Sequence, residues 1–304
     1  VSEAHGPGSS GPEPGPDIRR VGVVGCGLMG AGIAEVCARA GLDVVVHEVN
    51  AGTAETGRAR ITASLDRGVR RGKLSDAERR AALDRVRVST DLMELADRDL
   101  VVEAATEDEK VKVELFAELD RVVTREDALL ASNTSSLPIM KLGMATTRPH
   151  QVIGVHFFNP VPVLELVEIV PSLLTTHHTQ FRAEGFVTAV LGKTVIRAQD
   201  RAGFVVNALL VPYLLSAIRM LESGHASAED IDTGMVLGCA HPMGPLSLAD
   251  LIGLDTLTAI AEAMYADFKD PLHAPPPLLL RMVEAGLLGR KSGRGFHDYS
   301  RKGD

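Results

Sequence analysis

A histidine and a glutamate twelve residues apart, His156 and Glu168, stand in the stretch "VHFFNPVPVLELVEIV" where buried strands usually carry inert side chains. Two apolar, β-branched runs flank a proline-rich centre, so the stretch reads as strand, tight connection, strand. If the strands pair antiparallel about Pro162, facing positions sum to 324 and His156 stands opposite Glu168 on one side of the sheet. A carboxylate against one imidazole nitrogen fixes the tautomer and orients the ring, which leaves the other nitrogen for general acid–base work. A satisfied structural histidine beside a surface glutamate has the same spacing, and these residues alone leave both readings open.

Other polar groups gather where an open α/β sheet binds ligands, beyond the carboxyl ends of its strands. "ALLASNTSSL" places Asn133, Thr134, Ser135 and Ser136 just after a strand-like run. They could hold a substrate oxygen or a nucleotide ribose, or serve as turn and cap residues. Asn207 interrupts the apolar "FVVNALLVPYL"; it either bonds neighbouring backbone or faces a cleft. "RARITASLDRGVRRGK" carries Arg58, Arg60, Arg67, Arg70, Arg71 and Lys73 against Asp66 alone. That concentration suits the phosphates of a bulky anionic substrate, although a solvated helix face would look the same.

"GCGLMG" sets Gly25, Gly27 and Gly30 in G-x-G-x-x-G order, after a strand and at the start of a helix. Gly25 permits the tight turn, Gly27 the approach of a pyrophosphate, and Gly30 close helix–strand packing. The helix N-terminus adds unpaired N–H groups and a positive dipole end. Glu48 closes the next strand, 21 residues beyond Gly27. It can accept from both ribose hydroxyls and would repel a 2′-phosphate, which favours NAD over NADP. The expected cofactor contacts are the turn, Gly25, Gly27, Leu28, Met29 and Gly30, together with Glu48. A glycine turn without a ligand is the bland alternative.

The elements that position these groups alternate. Strand, glycine turn, helix and strand follow within about thirty residues from Ile18, a βαβ unit that implies parallel pairing. Further strands are expected at 85–89, 99–104, 128–132, 151–158 and 164–170, with helices over 53–71, 75–83 and 108–122. The pattern predicts a Rossmann-like, doubly wound, mostly parallel α/β domain over residues 18–200. An all-α domain follows over 201–304, with helices in "FVVNALLVPYLLSAIRMLESG", in "SAEDIDTGMVLGC" capped by Ser227, in "PLSLADLIGLDTLTAIAEAMYADF" and in "PPLLLRMVEAGLLG". These helices are apolar around much of their circumference, so they are expected to bury against a partner subunit as well as each other.

The first 17 residues are rich in Gly, Pro and Ser and are expected to form a flexible tail, partly expression-derived because no initiating Met is present. They lack the basic-then-apolar pattern of a signal peptide. The 304-residue chain has a net charge of −8 and no long basic block, which argues against a nucleic-acid partner. No run of 18 apolar residues occurs, so no membrane span is expected. Cys26, Cys37 and Cys239 form neither a C-x-x-C pair nor an even set, as in a reduced cytoplasmic protein without a zinc site. No metal is expected.

The segments "VGVVGCGLMGAGIAEVCARAG", "ASNTSSLPI", "VIGVHFFNPVPVLELVEIV", "GFVVNALLVPYL", "EDIDTGMVLGCAHPMGPLSLADLIGLD" and "GLLGRKSGRGFHDYS" together resemble the 3-hydroxyacyl-CoA dehydrogenase family. The likeness runs from about residue 18 to 300 and extends to the short bacterial 3-hydroxybutyryl-CoA dehydrogenases. It implies NAD-dependent interconversion of a (3S)-3-hydroxyacyl-CoA and its 3-oxoacyl-CoA, in a homodimer joined through the helical domains. The resemblance assigns the catalytic pair to His156 and Glu168, substrate-oxygen contact to Ser135 and the active-site asparagine to Asn207. It assigns cofactor contacts to Glu48, Glu107, Lys112 and Asn133, and coenzyme A contacts to Ser64 and Arg71. Arg71 stands where a lysine is often found, Pro138 where polar residues are usual, and His297 where a tyrosine is common. A related sugar-acid dehydrogenase and a non-catalytic NAD-binding sensor are the rival readings.

Overall fold

The computed structural model describes residues 18–300; the tail expected over residues 1–17 lies outside the described residues. Two compact units result: one comprises residues up to Thr134 together with Ile139–Arg197, the other Ser135–Pro138 together with residues from Ala198 onward.

In the first unit, short apolar runs become strands and the polar-faced stretches between them become helices. The order is β1 (Arg20–Val24), α1 (Leu28–Arg39), β2 (Asp43–His47), α2 (Ala51–Arg70), α3 (Asp76–Asp84), β3 (Val86–Ser89), β4 (Leu100–Glu103), α4 (Glu109–Val122) and β5 (Leu129–Ser132). It continues through α5 (Ile139–Met144), β6 (Val152–Phe157), β7 (Leu166–Pro171), α6 (His177–Gly185) and β8 (Thr194–Arg197). Side-chain caps start several helices: Asn50 accepts from Thr53 N–H for α2, Ser75 and Glu78 form a reciprocal capping box for α3, and Asp108 accepts from Val111 N–H for α4.

The eight strands form one sheet in the order β3-β2-β1-β4-β5-β6-β7-β8. Pairing is parallel throughout except between β6 and β7. The chain leaves β1 for β2 on one side and later returns to β4 on the other, so a crevice opens at the carboxyl ends of β1 and β4. The core is mostly aliphatic: Val21, Val23, Ile33, Val44, Val46, Val102 and Ile153 are each fully buried.

Three short elements escape the sequence pattern, among them α5, a helix of only six residues. β8 is a four-residue edge strand with no buried residue, so it carries no apolar alternation to betray it. α6 is polar over most of its nine residues.

The second unit contains α7 (Val206–Glu222), α8 (Ala228–Cys239), α9 (Pro245–Ile252), α10 (Leu254–Phe268) and α11 (Pro277–Glu284). The stretch read as a single helix from Pro245 is two, because Gly253 takes φ +100° and ends α9 before α10 begins. Leu214, Leu215, Ile218, Leu246, Leu254 and Met264 form its core. Asp232 accepts the N–H groups of Leu246 and Ser247 and so caps α9 from α8. His297 joins this arrangement, its Nε2 2.9 Å from Asp232 Oδ2, and Asp250 accepts the N–H groups of Phe296 and His297. The departure from tyrosine at position 297 therefore ties the terminal segment to α8. Among the described residues no helix is long and apolar enough to cross a membrane.

Candidate active site

The turn between β1 and α1 is built for glycine. Gly25 adopts φ +88°, and a Cβ there would lie 2.8 Å from the carbonyl oxygen of Ala104. At Gly30 a Cβ would come within 1.8 Å of the Gly25 carbonyl oxygen. At Gly27 it would meet nothing within 4 Å, so the turn opens onto free space where a phosphate group could approach the backbone. Gly27 is the N-cap of α1 and supplies no side-chain acceptor, and the first turn holds no acid. The N–H groups there are available to an anion.

This turn borders a cleft of about 1050 Å³ lined by Gly25, Gly27, Leu28, Met29 and Glu48 among others. The Glu48 carboxylate accepts the N–H groups of Cys26 and Val49. Its remaining lone pairs can accept ribose hydroxyls. Asp91, Glu114 and Glu118 share the lining, which contains no lysine or arginine among the described residues. Size, glycine turn and acid all fit an adenine dinucleotide lacking a 2′-phosphate. Burial, with Glu48 adding to it and Arg60 opposing, pushes the Cys26 thiol up to about 11, so it stays protonated beside the turn.

At the next strand ends a buried polar network appears. Glu103, the last residue of β4, is fully buried. One of its oxygens accepts Lys112 Nζ at 2.6 Å and the Ala105 N–H at 2.7 Å; the other accepts the Ser132 hydroxyl at 2.6 Å. Lys112, 1% exposed, also lies 3.1 Å from Glu107, which accepts the Thr134 hydroxyl. The charges are paired and hydrogen-bonded, the condition under which buried ions are tolerated. Lys112 thus sits inside the network, and Glu107 is its more exposed member. Asn133 Oδ1 accepts the Phe157 N–H at 2.9 Å, which joins the loop after β5 to the end of β6. Sequence reasoning passed over Glu103 and Ser132. The signal for Glu103, an acid closing an apolar strand, was the one that singled out Glu48.

The β6–β7 register places His156 opposite Glu168, with each facing pair summing to 324 as the turn-centred reading expected. His156 Nδ1 lies 2.7 Å from Glu168 Oε2. Glu168 is fully buried and His156 nearly so. Phe158 packs on the imidazole at 4.7 Å between ring centroids. His156 is next to last in β6, at the same carboxyl edge as Gly25, Glu103 and Asn133.

Ser135 and Asn207 belong to the second unit, Asn207 in the first turn of α7. Ser64 is half-buried on α2 and Arg71 exposed at its C-cap. Of the basic stretch, Arg58, Arg67, Arg70, Arg71 and Lys73 are exposed, whereas Arg60 turns inward to the Cys26 carbonyl. All three cysteines are free.

Comparison with known proteins matches residues 20–201 to the 3-hydroxyacyl-CoA dehydrogenase NAD binding domain and residues 203–299 to the corresponding C-terminal domain. The chain is 61% identical to 3-hydroxybutyryl-CoA dehydrogenase of Mycobacterium tuberculosis, over 93% of this chain and 99% of that one. It is 42% identical to human mitochondrial hydroxyacyl-coenzyme A dehydrogenase, over 93% and 91% of the two chains. The crystal structure of M. tuberculosis FadB2 is similar with a TM-score of 0.92 and 61% identity, covering 93% of this chain and 99% of that one. That of (S)-3-hydroxybutyryl-CoA dehydrogenase from Ralstonia eutropha has a TM-score of 0.88 and 46% identity, covering 94% and 100%.

Proposed function

The chain belongs to the 3-hydroxyacyl-CoA dehydrogenase family, and from that premise we propose that His156 and Glu168 interconvert a short (3S)-3-hydroxyacyl-CoA, such as 3-hydroxybutyryl-CoA, and its 3-oxoacyl-CoA. The protein is an NAD-dependent oxidoreductase. Bound NAD supplies the acceptor for the hydrogen leaving C3. The 2.7 Å contact between His156 and Glu168 carries the mechanism. Glu168 holds Nδ1, and Nε2 takes the hydroxyl proton during oxidation and returns it during reduction. The carboxylate offsets the imidazolium charge inside a buried strand pair, where water cannot. Ser135 and Asn207 hold the reacting oxygen and the thioester arm, a role of position and electrostatics that rests on the family resemblance. Gly25, Gly27, Leu28, Met29, Gly30 and Glu48 hold the cofactor's adenosine and pyrophosphate, and Asn133, Glu107 and Lys112 shape its nicotinamide end.

Oxidation of NADH by purified protein supplied with acetoacetyl-CoA tests the reading; no oxidation would remove it. Ser64 and Arg71 are assigned to the coenzyme A phosphates. Arg71→Glu is expected to raise KM for acetoacetyl-CoA about tenfold, ~1.4 kcal/mol, with kcat little changed. An unaltered KM would remove Arg71 from the coenzyme A contacts.

The second unit exposes Leu209, Leu237, Met220 and Phe268. These side chains support a homodimer joined through it, and a monomer mass by light scattering would overturn that assignment. A cytoplasmic location fits the three free thiols, and recovery of the protein in an exported fraction would count against it.

A further inference from the structure

One arginine of the basic stretch is not a surface charge. α2 lies close against the glycine turn because Gly57 has no side chain; a Cβ there would come within 2.4 Å of the Cβ of Cys26 and 2.6 Å of its sulfur. Three residues on, and therefore on the same helix face, stands Arg60. Its Nη1 donates to the carbonyl oxygen of Cys26 at 2.7 Å. The N–H of the same residue donates to Glu48. Residue 26, the spacer of the first G-x-G, thus carries a carboxylate at its N–H and a guanidinium at its carbonyl. The two charges form no ion pair with each other among the described residues. A guanidinium has five N–H donors, and only one of Arg60's has a protein acceptor among the described residues.

An acid at this point of a dinucleotide fold reads the ribose 2′-hydroxyl, and an arginine nearby accommodates a 2′-phosphate. Here both are present, each bonded to a backbone group of Cys26. We propose that Glu48 and Arg60 together decide the cofactor at the adenosine 2′-position, with Arg60 a latent 2′-phosphate site that the charge of Glu48 keeps out of use. Glu48 thus acts partly by exclusion, since it repels a phosphate that Arg60 would otherwise attract. Arg60 lies behind the turn on the Cys26 carbonyl and is not among the residues lining the cleft, whereas Asp91, Glu114 and Glu118 are, so the capacity released by neutralising Glu48 is partial. The proposal deepens the NAD-dependent reading and rests on it.

The test is a double-substitution cycle on the full chain, read by calorimetric titration with NADH and with NADPH. Wild-type protein is expected to bind NADH more tightly. Glu48→Gln should tighten NADPH about tenfold and weaken NADH. Arg60→Gln alone should weaken NADH only a few-fold, through a looser turn. In Glu48→Gln/Arg60→Gln the NADPH gain should disappear. Glu48→Ser, alone and with Arg60→Lys, repeats the cycle should the glutamine variants unfold; lysine keeps the charge and should retain part of the gain. No NADPH gain on neutralising Glu48, or a gain that survives loss of Arg60, overturns the proposal while NADH binding stands. Wild-type protein that binds neither cofactor removes the NAD reading itself, and the proposal with it.

Discussion

Replacing His156 by glutamine is expected to lower turnover with acetoacetyl-CoA and NADH by about 10²- to 10⁴-fold, the usual contribution of a positioned acid or base. The Kd for NADH should stay near that of the wild type. Glutamine approximates the length of the imidazole and can still donate to Glu168 across the β6–β7 pair, so the buried carboxylate keeps a donor. It cannot accept a proton at neutral pH. Alanine is the poorer choice, because breaking a buried charged pair costs about 3–5 kcal/mol and would mix folding with chemistry. The cofactor cleft is lined by residues at the ends of β1, β2, β3 and β4, at the start of α1 and on α4, none of them on β6. Binding should therefore separate from turnover. A His156→Gln enzyme that keeps more than about a tenth of its turnover would mean that another group moves the proton.

How far the sequence carries the site depends on what kind of neighbour each residue has. His156 and Glu168 were legible because strands repeat every second residue and the proline-rich turn set the register; two polar residues in apolar runs then had to face each other. The glycine turn was legible because its spacing follows from backbone geometry, including the positive φ of Gly25. Arg60 was read only as part of a basic patch. Its partner is a backbone carbonyl 34 positions away, and a carbonyl has no residue type to recognise. Lys112 could be named but not placed, since its burial between Glu103 and Glu107 depends on how α4 returns over β4. The break at Gly253 stayed hidden because apolar residues continue through it at helical spacing; the turn is made by one backbone dihedral. β8 was missed for the opposite reason, as an edge strand with too little burial to impose a pattern.

Glu168→Gln examines the pair from its other side and distinguishes an orienting carboxylate from a merely buried one. The amide is nearly isosteric, so the strand pair should persist and NADH should bind as before. What changes is the group presented to Nδ1. A carboxylate accepts only, which requires the proton on Nδ1 and leaves the lone pair on Nε2. An amide can donate as well, which permits the other tautomer, with Nε2 protonated and unable to act as base. It also removes the negative charge that offsets the imidazolium. A loss in turnover of about 10²- to 10⁴-fold is expected, as for catalytic histidines deprived of their acid. The decisive measurement is the double variant. Residues that act as one unit do not contribute independently, so His156→Gln/Glu168→Gln should be no slower than His156→Gln alone, because Glu168 can act only through the ring it orients. If the two losses multiply, Glu168 has a role of its own in the reaction and the pairing across β6 and β7 is not the source of its effect.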